Sequence, residues 1–302
     1  MSLLVVGSVA FDSVKTPFGE VSEALGGSAT YFSLASGFFN DVQMVAVVGD
    51  DFPEEEIAFL KTRNVDTEGL QRVPGKTFRW KGAYTYELNE AQTLDTQLNV
   101  FEHFSPEIPE SYRDARFVFL GNIDPELQLL VLKQVRDPQL VGLDTMNFWI
   151  ERKKEALLAV LKHVDVLTIN DGEARQLTGE VNLVKAARQI LSRGPKILII
   201  KRGEYGVLMF NGTRIFTAPA YPLEVVFDPT GAGDSFAGGM MGYLSNVKTI
   251  SDETLRRAIV FGSVMASFNV EDFSMNRLRK LTYREIEQRF KMFKSLTDFE
   301  DI

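Results

Sequence analysis

The sequence contains no cysteine and only two histidines, His103 and His163. Without cysteine the chain forms no disulfide, has no thiolate nucleophile and offers no cysteine ligand to a metal. The two histidines stand apart from each other and from any constellation of ligand-type residues. Cysteine-based and histidine-rich metal sites are therefore excluded, and we interpret both histidines as structural.

Long apolar runs are also lacking. No stretch of the sequence approaches the roughly 20 apolar residues that span a bilayer. The N-terminus enters a strand-like segment directly, without the basic region that opens a secretory signal. The sequence therefore predicts a protein that is not exported, has no membrane partner and is cytoplasmic.

Blocks of one charge and the common nucleotide-binding motifs are missing as well. The chain has 33 basic and 41 acidic residues, a formal charge of −8, and gathers neither sign into a long block. A nucleic acid partner is not expected, because duplex binding depends on a basic face that neutralises phosphates. Neither G-x-x-x-x-G-K-[ST] nor G-x-G-x-x-G occurs. Any phosphate binding must therefore use another turn.

The chain does contain a repeated alternation of buried strands and helices. Its 302 residues, with 45% hydrophobic content, suffice for a sizeable core. Apolar runs of strand length occur at 3–7, 43–49, 116–121, 139–143, 165–169 and 196–201. Helical spacing of apolar residues lies between them, most clearly at 183–191. This alternation predicts an α/β fold with a mostly parallel central sheet and helices on both faces.

Two stretches break the alternation. Aromatic residues stand among polar residues and turn signals at 76–104, and with 11–24 this segment predicts a small antiparallel sheet that forms a lid. Asn211-Gly212 lies between two β-prone runs and predicts a hairpin over 205–218. We predict a single α/β domain over residues 1–302, with a lid sub-domain from about 11–24 and 76–104.

The most informative segment is 228–234, DPTGAGD. A strand-like run, 224–227, precedes it, and a helix-like run of small and apolar residues, 235–241, follows it. Gly231 and Gly233 thus come at a helix N-terminus, where backbone N–H groups lack partners and the helix dipole attracts anions. Because glycine lets a backbone approach a ligand closely, these N–H groups can converge on a phosphoryl group.

Asp234 stands at the rim of this predicted anion site. A carboxylate there can accept the proton of an attacking hydroxyl. The competing interpretation is structural: an acid that favours a helix N-terminus, and glycines that serve a tight turn. The complete seven-residue string favours the catalytic interpretation.

The string DPTGAGDSFAGG at 228–239 closely resembles the C-terminal signature of the ribokinase/PfkB family of carbohydrate and nucleoside kinases. Other segments are similar to family motifs. They are the first strand and its aspartate at 7–12, the paired glycines 26–27, the turn 49–51, the N-x-x-E segment at 170–173 and the glycine turn at 201–206. The resemblance covers most of the chain and implies a ribokinase-like fold.

The resemblance also implies a reaction, the in-line transfer of the γ-phosphoryl group of ATP to a substrate hydroxyl. Asp234 would be the base, and the turn of Gly231, Ala232, Gly233 and Asp234 would be the anion hole. A homodimer that pairs through the lid, and a monovalent cation beside ATP and Mg²⁺, are further expectations from the family.

On the nucleotide side, the resemblance implies that Glu173 holds Mg²⁺, largely through water. Mg²⁺ keeps several waters in proteins, so one carboxylate and one amide are a reasonable set. Asn170 and Glu173 fit a helix N-cap equally well, and the two roles are compatible. The residues implied to contact the nucleotide are Asn170, Lys201, Gly203, Gly206 and Thr230.

On the acceptor side, the resemblance implies that Asp12, Gly26, Gly27 and Asn147 bind the substrate. A carboxylate has several acceptor sites for paired hydroxyls, which suits Asp12 to a sugar. The family commonly has an asparagine a few residues after the glycine pair, where this sequence has Tyr31. The substrate therefore stays open at this point.

Three functions are compatible with the sequence. The first is a kinase for a sugar or a sugar-like polyol. The second is a nucleoside kinase, in which Tyr31 or the lid aromatics Phe78, Trp80 and Tyr84 stack on a base. The third is a non-catalytic ligand-binding relative, against which Asp234 argues because a binding protein needs no base.

Overall fold

A computed structural model describes residues 2–298 and residue 300. Its strands are β1 (Leu3–Val6), β2 (Ala10–Thr16), β3 (Gly19–Gly26), β4 (Val42–Val48), β5 (Val65–Arg72), β6 (Phe78–Ala83), β7 (Gln92–Gln97), β8 (Phe117–Leu120), β9 (Leu140–Asp144), β10 (Val166–Asn170), β11 (Ile197–Lys201), β12 (Val207–Asn211) and β13 (Arg214–Ala218). Its α-helices are α1 (Ser28–Ser36), α2 (Glu54–Thr62), α3 (Pro125–Leu132), α4 (Asn147–Arg152), α5 (Lys154–Leu161), α6 (Asp171–Thr178), α7 (Leu183–Leu191), α8 (Ala232–Asn246), α9 (Asp252–Asn269), α10 (Asn276–Lys280) and α11 (Tyr283–Thr297).

Nine strands form the central sheet, in the order β13-β12-β11-β10-β9-β8-β1-β4-β5. The seven strands from β11 to β5 run parallel, whereas the pairs β11–β12 and β12–β13 are antiparallel. The predicted mostly parallel sheet is confirmed. Because parallel strands share one carboxyl edge, Asp144, Asn170 and Lys201 end β9, β10 and β11 on the same side of the molecule.

Helices cover both faces of this sheet, as the fully apolar strands predicted. In β1, Leu3 and Val5 belong to a core that also contains side chains of α1, α8 and α9. Leu4 and Val6, which alternate with them, belong to a second core with side chains of α5, α6 and α7. Successive residues of a strand point to opposite faces, so β1 contributes to both cores.

The lid is a separate four-stranded sheet, in the order β3-β2-β6-β7. The outer pairs, β2 with β3 and β6 with β7, are antiparallel as predicted. The central pair, β2 with β6, is parallel because the chain passes through the main sheet between them. The boundaries of a lid sub-domain, and a homodimer through it, stay predictions.

One predicted strand is wrong. Residues 224–227 form no strand but part of a loop that leads from β13 to α8. β13 is the last strand at its edge of the sheet, and Phe227 N–H donates a single bond to Val270 O instead of joining a ladder. Val225 and Phe227 are also exposed, so the apolar run is not buried in a sheet. The hairpin predicted around Asn211-Gly212 is confirmed as β12 and β13.

Within residues 2–298 and residue 300, the structure contains no helix that is long and apolar enough to cross a membrane.

Candidate active site

The turn before α8 has the geometry expected of an anion site. Gly231 is the N-cap of α8 with φ +74°, in the left-handed region that favours glycine. The first-turn N–H groups of Gly233 and Asp234 have no helical partner. The Ala232 N–H differs, because it donates to Pro229 O at 3.2 Å. The N–H groups best placed to receive an anion are therefore those of Gly233 and Asp234.

Asp228 holds the turn in shape from inside the protein. Its side chain is 1% exposed, and its two oxygens accept from the N–H groups of Thr230 (2.9 Å) and Ser274 (3.0 Å). The side chain of Asn269 donates to Thr230 O at 2.8 Å. Sequence reasoning included Asp228 in the signature string but assigned it no role. The structure identifies it as a buried acceptor that organises the backbone of the turn.

Tyr31 packs directly on the N-cap glycine. An ideal Cβ on Gly231 would lie 2.3 Å from Cγ of Tyr31, so the ring covers the Cα of Gly231. Tyr31 is 1% exposed, and its hydroxyl has no hydrogen-bond partner among the described residues. Burial and the nearby charge of Asp12 raise the pKa of this hydroxyl well above its usual value. Tyr31 therefore stays neutral and links α1 to the turn.

The carboxyl groups of Asp12 and Asp234 both have raised pKa values. Burial raises the pKa of Asp234 to about 7, with a further contribution from the charge of Asp144. Burial likewise raises the pKa of Asp12 to about 8, and the charges of Asp228 and Asp234 add to the rise. Because the charge of Asp234 contributes to the shift of Asp12, β2 of the lid must bring Asp12 near the start of α8.

The paired glycines at 26–27 allow Asp12 its position. An ideal Cβ on Gly26 would lie 1.9 Å from Oδ2 of Asp12, so no larger residue fits beside this carboxylate. Gly27, with φ +93°, is the N-cap of α1, and its N–H donates to Asp12. The structure thus brings three of the four predicted acceptor-side residues together.

Asn147, the fourth, lies apart from this group. It is the exposed first residue of α4, and its Oδ1 accepts from the N–H of Phe148. No hydrogen bond in the described part of the chain joins it to Asp12 or Asp234.

A lysine provides the positive charge of the site. Lys201 Nζ bonds Oδ2 of Asp144 at 3.0 Å, with side chains 19% and 7% exposed. The same Nζ lies 2.9 Å from where a Cβ of Gly233 would be, directly beside the predicted anion hole. Burial disfavours the ammonium, but the charges of Asp144 and Glu173 outweigh it and raise the pKa of Lys201. The sequence analysis named Lys201 as a nucleotide contact, and the position of each residue at a strand end was the only signal for the pair.

Asn170 and Glu173 form a helix cap, which is one of the two roles that the sequence analysis gave them. Asn170 Oδ1 accepts from Glu173 N–H, and Glu173 Oε2 accepts from Asn170 N–H, both at 2.7 Å. Burial raises the pKa of Glu173, although the charge of Lys201 opposes the rise. Among the described residues, no group of three or more acidic or histidine side chains could enclose a metal. A single carboxylate of this kind fits a Mg²⁺ ion that keeps most of its waters.

The lid loop between β6 and β7 reaches both ends of the site. The hydroxyl of Tyr84 lies 3.2 Å from Oγ1 of Thr230, in the turn before α8. An ideal Cβ on Gly203, where φ is +53°, would lie 1.7 Å from Oδ1 of Asn89, so this lid residue rests on the predicted nucleotide-side glycine. Gly206, with φ +81°, ends the same turn. The sequence patterns did not indicate these lid contacts.

Comparison with known proteins agrees with this geometry. The model of the pfkB family of carbohydrate kinases matches residues 2–279. The cytidine kinase of Thermococcus kodakarensis is 31% identical over 261 residues, which cover 83% of this chain and 91% of that protein. The ribokinase of Lactococcus lactis subsp. lactis is 28% identical over 272 residues, 85% of this chain and 87% of that protein.

Solved structures show the same fold. The nucleoside kinase of Methanocaldococcus jannaschii superposes with a TM-score of 0.77 at 21% identity, covering 96% of this chain and 98% of the other. Its crystal structure describes it as an archaeal member of the ribokinase family. The match of a family model to nearly the whole chain, on the fold and turn described above, shows that this protein belongs to the pfkB family of carbohydrate kinases and is a phosphotransferase.

Proposed function

We propose that the protein transfers the γ-phosphoryl group of ATP to a hydroxyl of a sugar unit, with Asp234 as the base. The acceptor is either a free sugar or polyol, or the sugar of a nucleoside. The observation that carries the proposal is the position of Asp234. It is a half-buried carboxylate with a pKa of about 7 in the first turn of α8, and its charge interacts with that of Asp12. A general base works best with a pKa near the working pH.

The transfer has a simple balance of atoms and electrons. Asp234 takes the proton of the acceptor hydroxyl while the oxygen bonds to the γ-phosphorus, and the bond to the β,γ-bridging oxygen breaks. ADP leaves with the electron pair of the broken bond. The N–H groups of Gly233 and Asp234, with the ammonium of Lys201 beside them, stabilise the negative charge on the transferred group.

Asp12 is suited to hold the acceptor. With a pKa of about 8, its carboxyl is mostly protonated at neutral pH. A protonated carboxyl both donates and accepts a hydrogen bond, so it can pair with two neighbouring hydroxyls of a sugar at once. This orients the sugar between the lid and Asp234.

Mg²⁺, when bound, neutralises charge on the ATP phosphates. We expect Glu173→Gln to raise the Mg²⁺ concentration for half-maximal activity by about tenfold, since residues that act through a metal's waters typically change its affinity by this order. Glutamine keeps the helix cap and removes only the charge. The measurement is a Mg²⁺ titration of the initial rate at saturating ATP.

Asp171→Asn is the matched control for this variant. Asp171 is in the first turn of the same helix, but it pairs with Arg175. An unchanged Mg²⁺ titration for Glu173→Gln, or an equal shift for Asp171→Asn, would count against Glu173 as the metal-side residue. A requirement for a monovalent cation stays a prediction.

Each acceptor class has support from a relative. A free sugar is supported by the similarity to a ribokinase. A nucleoside is supported by the higher identity to a cytidine kinase over a similar share of the chain. A non-catalytic binding relative has the least support, because Asp234 and the glycine turn are intact.

The proposal is tested by a screen of acceptors. ADP formation is measured with cytidine, uridine, adenosine, inosine, ribose, fructose and a polyol such as ribitol, each over a range of concentrations. We expect saturable turnover with at least one acceptor. The phosphorylated product should form at the same rate as ADP. ADP formation that is independent of every acceptor would contradict the proposed transfer.

A further inference from the structure

One face of the lid strand β6 is directed at the catalytic turn. Trp80 pairs with Asp12 across β2 and β6, so both side chains project from the same face of the lid. Trp80, Gly82 and Tyr84 alternate along the chain and share that face. Tyr84 reaches Thr230 of the catalytic turn at 3.2 Å. Trp80 therefore stands beside the acceptor-binding carboxylate, on the inner side of the lid.

The indole of Trp80 lies flat on the lid. An ideal Cβ on Gly82 would lie 2.1 Å from Cη2 and 2.4 Å from Cζ2 of Trp80, so the six-membered ring covers Gly82. The Nε1–H of the indole donates to Oγ1 of Thr93 on the neighbouring strand β7, at 3.2 Å. Glycine beneath the ring and a hydrogen bond at its edge fix both the tilt and the rotation of the indole.

This arrangement leaves the aromatic surface available to a ligand. The only polar group of the indole is occupied by Thr93, so Trp80 offers a partner its π face and no hydrogen bond. The side chain is half-buried, and no other ring among the described residues stacks on it. The phosphoryl transfer itself has no use for such a surface. A planar heterocycle stacks its whole π face on a flat indole, whereas a free sugar or polyol has no aromatic face and offers only C–H contacts.

We propose that Trp80 is a stacking platform for the base of a nucleoside acceptor whose ribose is held by Asp12. This inference rests on the proposed transfer to a sugar unit and narrows its acceptor to a nucleoside. Gly82 and Thr93 act as positioning residues for the platform.

The first test observes Trp80 without any need for turnover. The chain has two tryptophans, and the other, Trp149, is on α4, where its Nε1–H donates to Oδ1 of Asn122 at 3.0 Å. In the Trp149→Phe variant, all tryptophan fluorescence comes from Trp80. We expect saturable quenching by cytidine, or by the best nucleoside of the acceptor screen, and none by ribose. Trp149→Phe alone should keep wild-type kinetics.

The second test uses kinetics with two different changes to the platform. Trp80→Leu keeps an apolar side chain but removes the aromatic face. Gly82→Ala keeps the tryptophan but lifts its ring, and the backbone tolerates it because Gly82 lies outside the left-handed region. We expect each variant to raise KM for the nucleoside by roughly tenfold, with kcat nearly unchanged, since stacking on an aromatic side chain is typically worth such a factor. Trp80→Phe should restore most of the affinity.

The outcomes separate this inference from the proposed function. Nucleoside turnover without quenching of Trp80, or equal KM changes for nucleoside and ribose, overturns the platform and leaves the kinase intact. Turnover with free sugars alone, together with no quenching of Trp80 by nucleosides, also overturns the platform and leaves the kinase intact. Quenching by a nucleoside in a protein that phosphorylates no acceptor supports the platform and contradicts the proposed transfer.

Discussion

Asp234→Asn should lower kcat by at least about 10²-fold, the lower end of what a general base contributes. Asparagine has the same shape as aspartate but cannot accept the proton of the acceptor hydroxyl. Binding of ATP should persist, because the N–H groups of the turn and Lys201 remain. The measurements are steady-state kinetics with the preferred acceptor and a separate titration of ATP binding. Near-normal kcat in the variant would refute the assignment of the base.

The pH profile makes this prediction sharper. The base must be ionised to work, and burial raises the pKa of Asp234 to about 7. In the wild type, kcat/KM for the acceptor should therefore fall as the pH is lowered through about 7. The residual activity of Asp234→Asn should lack this decrease. A wild-type profile that stays flat down to the ordinary pKa of an aspartate would contradict the assignment.

The same shift provides a control for folding. The pKa of Asp234 is raised from 3.8 to about 7, so the folded state binds this proton more tightly than the unfolded state does. This proton stabilises the fold fully when the pH is below the pKa of the unfolded state. The stabilisation is lost as the pH rises through the pKa of the folded state. At pH 8 the wild type contains an ionised carboxylate that is partly removed from water, and asparagine removes this charge. Asp234→Asn should thus unfold at the same temperature as the wild type at pH 8 or at a higher one, so a lost activity cannot come from unfolding.

Gly231→Ala should lower kcat/KM by about 10²-fold, because a displacement of about 1 Å at a reacting centre has effects of this size. Two causes act together at this position. Alanine is strained at φ +74°, and its Cβ would lie 2.3 Å from the ring of Tyr31. Tyr31 belongs to α1, is fully buried in the core that α1 shares with α8 and cannot move aside, so the turn must move instead. The measurement is steady-state kinetics combined with thermal unfolding.

Gly179→Ala is the matched control, because it separates backbone strain from the contact with Tyr31. Gly179 ends α6 with φ +77°, and nothing lies within 4 Å of a Cβ placed there. Alanine at this site has the same strain, roughly 1–2 kcal/mol, without a collision. We expect a modest loss of thermal stability and unchanged kinetics. If both variants lost activity equally, or if Gly231→Ala stayed active, the contact with Tyr31 would not position the turn.

The sequence by itself determined the fold and the reaction. Fully apolar strands alternating with helices have few solutions other than a parallel sheet covered on both faces, and the structure has this sheet. Asn211-Gly212 specified a hairpin because few residue pairs fit its tight turn. The segment 228–239 indicated the family because it closely resembles the family's C-terminal signature, and the family model confirms this. These features share one property: the residues that make them are close in sequence.

The tertiary structure alone decided what depends on residues distant in sequence. The run 224–227 has the composition of a strand, but the sheet already ends at β13, so it forms a loop. Lys201 contacts Asp144 because β9 and β11 end at the same edge of the sheet. The number of residues between them in the sequence does not predict this contact. Tyr31 departs from the family pattern, and only the fold places its ring against Gly231, in the turn that identified the reaction. Burial also sets the pKa values of Asp12 and Asp234, since it is the packing of the lid, α1 and α8 that removes water from both carboxylates.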